Sequence, residues 1–337
     1  MKMKQKNIYL LLISLGLIFI NGCAQKVGMK ALEPAQVDRV SNTKKITVTN
    51  FKNDSIGLSN KIEADLAGFS IEGKNYFTII GRNDFNKILT EQKLQNSGLV
   101  DPKTATEVGQ LIGAEAIISG NVGRATAEDT YFYEKRSRCA DKKCTKLVYY
   151  NVRCKKRIVG LSAEIRIVDV EKGDIIFADT LDDSNVYKHC SDDQRIIPST
   201  EIVAQKLARD IASKFTYKLT PHYRHFDVSL LEDPDIDYTD KQEELLKVSL
   251  EYIEKGRYEK AEVLLKRLVD ATASQSYVPF YNLGVISEAR GKYNEAKEYY
   301  TYADNLMVEP VDEINDAVVR IDKLIKRRDK TRQQISR

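Results

Sequence analysis

The sequence predicts an α/β domain with a mixed sheet, followed by an all-α domain of helical repeats. Strand and helix patterns alternate from residue 46 to residue 217, which indicates helices layered on a sheet. The motif KGRYEKAEVLLKRL at 255–268 then recurs as RGKYNEAKEYYTYA at 290–303, which indicates stacked helical hairpins. The chain has 337 residues, which is long enough for two domains.

The N-terminus has the pattern of a secretory signal over residues 1–22. A basic run, MKMKQK, precedes the apolar stretch Ile8–Ile20, which is short for a transmembrane helix. A tilted membrane anchor is the alternative interpretation. The ending INGC resembles a bacterial lipoprotein signal, and this resemblance implies cleavage before Cys23 and acylation of that residue. Ala24 stands where Asp would favour the inner membrane, so the resemblance implies an outer-membrane anchor that faces the periplasm. Residues 23–44 are then expected to be a tether.

The α/β domain is predicted over residues 45–220. Period-two alternation predicts strands, and apolar stripes at helical spacing predict helices. Asp101 as N-cap and Pro102 at the first helical position form a strong helix start. The predicted elements are strand 46–51, helix 58–69, strand 77–80, a helix from Asn83 or Asp84 to Leu94, a helix from Asp101 to about Gly113, strand 116–122, strand 160–170 turned into DIIFADT, and helix 200–217.

A basic hairpin is predicted at 124–158 within this domain. Ten Lys and Arg residues lie in Tyr131–Arg157 against Glu134 and Asp141, although the whole chain has a net charge of only +4. A solvated hairpin is one interpretation. The other is a contact for an acidic protein, lipopolysaccharide or an anionic envelope polymer, and nucleic acid is not expected in this compartment. The partner-binding candidates here are Lys142, Lys143, Lys155, Lys156 and Arg157.

The cysteines outside Cys23 are an even set, as expected for two disulfides in an oxidising compartment. Three pairings are open, and the sequence does not choose between them. A zinc site and free or intermolecular thiols are the alternatives, although the spacing is not a familiar metal-ligand pattern. The disulfide candidates are Cys139, Cys144, Cys154 and Cys190.

An acidic linker is predicted at 221–241. Its aspartates have some of the spacing of a calcium loop, but Tyr238 stands where the tight turn requires glycine. We therefore interpret the segment as a solvated linker and predict no metal site.

The repeats are predicted at 242–337, with the final helix as a cap. Gly256 and Gly291 occupy equivalent places 35 residues apart. The stretch FYNLGVISEARGKYNEAKEYYTYA resembles a tetratricopeptide repeat, in which small residues such as Gly284 let two helices cross closely. This resemblance implies a surface for protein partners, with Tyr281 and Asn282 as binding candidates. A purely structural helical tail is the alternative.

The passage from FTII to GNV, residues 77–122, resembles the CsgG family, the curli production assembly/transport component. The marks are FTII, Glu91-Gln92-Lys93, Ser97-Gly98, the Asp101-Pro102 helix, Gly113-Ala114 and the strand that ends in Gly120. The resemblance extends over about 45–220 and implies an outer-membrane lipoprotein. Its relatives include oligomeric secretion channels and activator lipoproteins that form no pore. The channels have a membrane hairpin where this chain has TYFYEKRSR, neither face of which is apolar along its length.

The sequence therefore predicts a non-enzymatic, outer-membrane-anchored periplasmic lipoprotein. Its role would be to scaffold or activate assembly, secretion or cell-envelope machinery through protein contacts. The alternative is an oligomeric outer-membrane secretion channel of the curli type. The sequence contains no phosphate loop, nucleophile elbow or zinc-protease signature, so no cofactor is predicted. A homo-oligomer is compatible with either interpretation.

Overall fold

The computed structural model of the chain describes residues 25–81 and 102–337, and these residues form two units. The helical unit contains the described residues up to Glu33 together with Tyr223–Asp329. The α/β unit contains Pro34–His222 together with Lys330–Arg337. The predicted fold class is confirmed, because a mixed sheet with helices is followed along the chain by a run of helices. The helix predicted from Asn83 or Asp84 lies outside the described residues.

The strands and helices are numbered in chain order. Those of the α/β unit are β2 (Lys45–Val48), α1 (Leu58–Gly68), β3 (Ser70–Ile71), β4 (Lys74–Asn75), β5 (Thr78–Ile79), α2 (Pro102–Ile112), β6 (Ala116–Val122), β7 (Thr126–Cys139), β8 (Leu147–Asp169), β9 (Ile175–Cys190) and α3 (Thr200–Leu219). Those of the helical unit are β1 (Lys26–Glu33), β10 (His222–Ser229), α4 (Asp240–Glu254), α5 (Tyr258–Ala271), α6 (Tyr277–Ala289), α7 (Tyr293–Leu306) and α8 (Asp312–Ser336). His222 of β10 and the residues of α8 from Lys330 onward are assigned to the α/β unit.

The main sheet of the α/β unit is mixed. β2 lies between β5 and β6 and runs parallel to both. β6 is antiparallel to β8, and β8 continues beyond β6 to pair with β7 along one edge. β9 pairs with the other edge of β8. The long strand β8 is therefore shared between the buried part of the sheet and an extension made by β7, β8 and β9.

The core of the α/β unit lies where α1 and α3 pack on the sheet. Ile62 and Leu66 of α1 are fully buried, as the predicted helical stripe requires. Helix α3 begins after Ser199, whose side chain accepts a hydrogen bond from the backbone N–H of Ile202 at 3.3 Å. Further side chains with zero exposure are Ile46, Ile117, Ile165, Leu207, Ile211 and Phe215. Burial of each large apolar side chain contributes about 1.5–3 kcal/mol, so this layer dominates the stability of the unit.

The helical unit contains two consecutive helix pairs, α4 with α5 and α6 with α7. Gly256 and Gly291 directly follow the C-caps of α4 and α6, with φ of +67° and +72°. Both glycines adopt the left-handed conformation that commonly ends a helix, and glycine has the lowest energetic cost there because it has no Cβ. The two units of the predicted repeat therefore end their first helices in the same way, and the helices fit the tetratricopeptide-like prediction.

The segment predicted as a tether, 23–44, is not one over its described part. Lys26–Glu33 form β1, which pairs with β10 in a two-stranded sheet. Val27, Met29 and Ala31 alternate with exposed residues and are buried in the core of the helical unit. Because only three apolar residues alternate here and lysine and glycine separate them, the alternation is easily overlooked in the sequence.

The predicted acidic linker, 221–241, also has a fixed structure. Its first part is β10, and Asp235 caps helix α6 by accepting hydrogen bonds from the Tyr277 backbone N–H, at 2.8 Å, and from the Ser276 hydroxyl. The Tyr238 hydroxyl lies 2.5 Å from Ser276 Oγ. A carboxylate at a helix N-terminus satisfies otherwise unpaired N–H groups and interacts favourably with the helix dipole. Asp235 therefore has a structural partner, which explains an acidic residue at this place without calcium.

The last residues of the chain differ from the prediction that 242–337 is one repeat domain. Lys330–Arg337 group with the α/β unit, where Gln334 has zero exposure. The Gln334 side chain accepts a hydrogen bond from the Ala35 N–H at 2.8 Å and donates one to Asp38 at 2.7 Å. A single buried amide thus ties the C-terminal segment to residues near the start of the unit, a contact that no local sequence pattern specifies.

Replacing Gly284 by Ala is expected to destabilise the helical unit. A Cβ at Gly284 would lie 2.5 Å and 2.6 Å from ring carbons of Tyr300, which is fully buried and has little room to move. Overpacking of this kind costs about 1–3 kcal/mol, and urea unfolding of the full chain measures it. The matched control is Gly68→Ala in helix α1, where the added Cβ meets nothing within 4 Å. Equal stability of the two variants would contradict the close helix crossing.

Candidate functional site

The candidate site is a three-stranded arm made of residues 126–160 and 184–190. β7 and the first part of β8 form a long antiparallel hairpin, which agrees with the predicted hairpin at 124–158, and β9 adds a third strand. Nearly every residue of β7 is exposed. The arm is therefore held by strand pairing and cross-links more than by a hydrophobic core.

Two disulfides brace the arm. Cys139 is bonded to Cys144 at the turn between β7 and β8, five residues apart in the chain. Cys154 on β8 is bonded to Cys190 on β9, directly opposite it in the register. Both residues of the second disulfide are buried, and together with Val152 they form a small apolar cluster. The four cysteines that the sequence singled out are thus paired, and the structure selects one of the three pairings.

Glu134 lies beside the buried disulfide. Its Oε2 atom is 3.5 Å from Cys190 Sγ and 3.8 Å from Cys154 Sγ, so three groups with metal-ligand chemistry lie close together. The two sulfurs are bonded to each other, however, and a metal site would need them as thiolates. Glu134 instead forms an ion pair with Lys188 at 2.8 Å, and hydrogen bonding from that lysine lowers the pKa of the carboxyl group.

Part of the positive charge of the arm is neutralised within the arm. Asp129 forms ion pairs with Arg157 at 2.7 Å and with Lys155 at 2.6 Å. Hydrogen bonds from Arg157 and then Lys155 hold the pKa of the Asp129 carboxyl well below its usual range. Arg136 is paired with Asp192 at 2.6 Å and Asp193 at 2.9 Å. These cations are therefore less available to a partner than their number in the sequence suggests.

The predicted partner-binding cations thus divide into two groups. Lys142 and Lys143 are exposed in the turn closed by the Cys139–Cys144 disulfide, and Lys156 is exposed on β8. Lys155 and Arg157 are half-buried and bonded to Asp129. The sequence identified the charge, but it did not show which lysines face an acid on the neighbouring strand.

Strand alternation gives the arm two different faces. Register pairs Tyr133 with Arg153, and Tyr149 with Ser137, so these side chains share one face. We call this the tyrosine face and define it by Tyr131, Tyr133, Lys135, Tyr149 and Arg153. The opposite face carries the buried disulfide together with Arg138 and Lys156. The alternation within TYFYEKRSR predicts that Tyr131, Tyr133 and Lys135 share a face. It does not predict Tyr149 and Arg153, because the pairing of β8 with β7 is not a property of that segment.

The two candidates in the helical unit are not exposed to a partner, which corrects that prediction. Tyr281 is 1% exposed and its hydroxyl donates a hydrogen bond to the Ser229 carbonyl at 2.8 Å. Asn282 has zero exposure, donates to the Leu231 carbonyl at 2.8 Å and accepts from the Leu231 N–H at 3.1 Å. The end of β10 and the segment that follows it thus occupy the groups that were expected to hold a partner.

Cys23, the predicted acylation site, lies outside the described residues. In the ranges 25–81 and 102–337, none of the helices combines the length and the apolar character that a membrane crossing requires.

Comparison with known proteins supports the resemblance noted from the sequence. Residues 30–134 match the family described as curli production assembly/transport component CsgG. This confirms the CsgG-like character over those residues, which begin before residue 45 and end well before residue 220. A search of curated proteins gave no match.

Several solved structures are similar at low identity. Lipoprotein GNA1162 from Neisseria meningitidis is 12% identical, with 52% of this chain and 99% of that chain covered and a TM-score of 0.28. The C-terminal domain of LpoB from Salmonella enterica is 13% identical, with coverage of 44% and 94% and a TM-score of 0.26. The PelC dodecamer from Paraburkholderia phytofirmans is 13% identical, with coverage of 56% and 96% and a TM-score of 0.24.

The two disulfides are expected to differ in their effect on stability. In the chain-entropy treatment, closing the 36-residue separation between Cys154 and Cys190 contributes about 4 kcal/mol, against about 2 kcal/mol for the five-residue separation at the turn. The double variant C154A/C190A should therefore lose more stability in urea unfolding than its matched control, C139A/C144A. An equal or larger loss from the pair at the turn would show that the strand-to-strand bond does not stabilise the arm.

Proposed function

Because residues 30–134 match the CsgG family, we propose that this protein is a lipoprotein of the cell envelope that scaffolds or activates assembly or secretion machinery. It would be anchored in the outer membrane by acyl chains on Cys23 and would face the periplasm. Its role would be non-enzymatic and would depend on contacts with proteins. The family match is the observation that carries this proposal.

The cysteines support an oxidising compartment. Cys139 is paired with Cys144, and Cys154 with Cys190. Cys23 is left over, at the end of the signal-like segment. Structural disulfides persist in the periplasm but are rare where glutathione and thioredoxin keep thiols reduced. The pairing thus agrees with export, and it leaves Cys23 outside the two disulfides, as acylation at that position requires.

The helical unit supports a role in protein contacts, although through residues other than Tyr281 and Asn282. Large apolar side chains remain exposed on its surface, among them Tyr302 on α7 and Val319 on α8, at 57% and 56%. Exposed aromatic side chains offer contact area at a low cost in conformational entropy and are enriched at protein interfaces. We therefore place the proposed contacts on the exposed residues of α7 and α8.

Localisation is tested with two neighbouring substitutions. Cys23→Ala is expected to release the protein from membranes, because acyl chains give a lasting anchor and the variant has no acceptor for them. Ala24→Asp should keep acylation but move the protein toward the inner membrane, as the lipoprotein resemblance implies. The measurement is immunoblotting of fractionated membranes after a high-salt wash. Retention of Cys23→Ala in the outer-membrane fraction contradicts the anchor.

The scaffold role is tested by photo-crosslinking in the cells that produce the protein. A benzoylphenylalanine replaces Tyr302, and a matched control places it at Tyr217, an exposed tyrosine of α3 in the α/β unit. We expect discrete adducts from position 302 that mass spectrometry identifies as proteins of one envelope machine. The variant Y302S/V319S should weaken the assembly of that machine. If both positions give the same crosslinked proteins, or if the machine assembles normally with the Y302S/V319S variant, the proposed contact surface is refuted.

Channel activity is the alternative function, and the family description, an assembly/transport component, is what favours it. Planar-bilayer recording of the acylated protein distinguishes the two. Reproducible single-channel steps that disappear when Tyr131–Arg157 is deleted would replace the scaffold proposal with the channel.

A further inference from the structure

We propose that the tyrosine face of the arm binds an acidic polysaccharide, a chain of sugar rings that carry carboxylates. The site consists of Tyr131, Tyr133, Lys135, Tyr149 and Arg153. The proposal rests on the geometry of these residues and is independent of the scaffold role.

The three tyrosine side chains of this face are highly exposed to solvent. Tyr131, Tyr133 and Tyr149 are 56%, 73% and 61% exposed, and register places all three on one side of the β7–β8 hairpin. Aromatic side chains are normally buried to a large extent, and an exposed group of them on one surface is typical of a binding site. Tyrosine also has only two side-chain torsions, so little freedom is lost when a ligand covers it.

Cations lie directly against two of these rings. The Arg153 guanidinium is 4.9 Å from the centre of the Tyr131 ring, and Lys135 Nζ is 4.8 Å from the centre of the Tyr149 ring. Such cation–π contacts hold the side chains in place and keep the positive charge at the same surface as the rings. The free protein therefore already presents aromatic rings and cations side by side on the tyrosine face.

Protection of a sheet edge is the competing explanation for charge on an exposed strand. Lysine and arginine on edge strands prevent pairing with other chains, and β7 is an edge strand. Tyr149 and Arg153 lie on β8, which at these positions pairs with β7 on one side and lies beyond the β9 pairing, which begins at Cys154, on the other. Edge protection accounts for the charges of Lys135 and Arg153, but it gives no reason to expose three tyrosines on one face. A binding role explains the charges and the exposed rings together.

The chemistry of the face matches a polymer of acidic sugars. Successive tyrosines on one face of a strand are about 7 Å apart, so Tyr131 and Tyr133 present repeated flat surfaces along one line. Sugar rings can stack on these surfaces while their carboxylates pair with Lys135 and Arg153. A phospholipid headgroup or a run of acidic residues in a peptide would use the charges but has no ring to lie against the tyrosines.

Asp129 limits the positive charge at the base of this face. It lies on the same side of β7 as Tyr131, and it pairs with Lys155 and Arg157. Replacing it with Asn keeps the size of the side chain and releases both cations for an acidic ligand. Asp129→Asn is therefore expected to strengthen binding severalfold, a change opposite in sign to that of the other variants.

Binding is tested by calorimetry on the full acylated chain in detergent, with polygalacturonate oligomers as the probe. The variant Y133A/Y149A should bind about tenfold more weakly, because the C–H faces of the sugar rings lose the two aromatic surfaces on which they pack. The variant K135A/R153A should bind at least as weakly. The matched control, R138A/K156A, removes the same charge from the opposite face and should change affinity by less than about twofold. Circular dichroism establishes that each variant is folded.

Three further probes make the proposal falsifiable. Polyglutamate offers carboxylates without sugar rings, dextran offers rings without charge, and anionic phospholipid vesicles offer charge on a surface. Polygalacturonate should bind the wild-type protein more tightly than all three. Equal binding of polyglutamate or vesicles, equal losses in R138A/K156A and K135A/R153A, or no binding of polygalacturonate would each overturn the proposal. None of these outcomes would alter the crosslinking result expected at Tyr302.

Discussion

The register of β8 is the constraint on which the α/β unit depends. This strand of 23 residues pairs with β6 in the core and with β7 and β9 in the arm. Ala163, Ile165 and Ile167 have zero exposure, so a slip of one residue would turn them away from the core. The buried end of β8 therefore fixes which side chains share a face at its exposed end, more than ten residues away.

The Cys154–Cys190 disulfide extends that constraint into the arm. It joins β8 to β9 at opposite positions where the surrounding strands have little core to hold them. The tyrosine face is consequently defined by pairing and a covalent bond rather than by packing. A rigid exposed surface of this kind loses little conformational entropy when it binds a ligand. This lower entropic cost favours ligand binding on a flat sheet, which has no cleft to enclose the ligand.

The helical unit uses much of its polar chemistry internally. Glu288 is 3% exposed, and it accepts hydrogen bonds from Arg320 at 2.9 Å and 3.0 Å and from the Tyr300 hydroxyl at 2.6 Å. Burial, reinforced by Glu288, raises the pKa of Tyr300 well above its ordinary value, so its hydroxyl remains a donor. A buried charge is tolerated only when it is paired and hydrogen-bonded in this way. Tyr281 and Asn282 hold the chain's own segment, so these interior groups are occupied, and the contacts proposed above lie on residues of the outer surface.

The sequence by itself determined the elements and the class of the fold. Strand 116–122, the helix that begins at Leu58, the equivalent glycines at 256 and 291 and the even set of four cysteines were readable because each is a local signal of periodicity, capping or composition. Tertiary structure alone decided the rest. The pairing of the cysteines, the strand at Lys26–Glu33, the neutralisation of Lys155 by Asp129 and the burial of Asn282 depend on residues far apart in the chain. Register and packing bring such residues together, and neither is specified by a pattern within one segment.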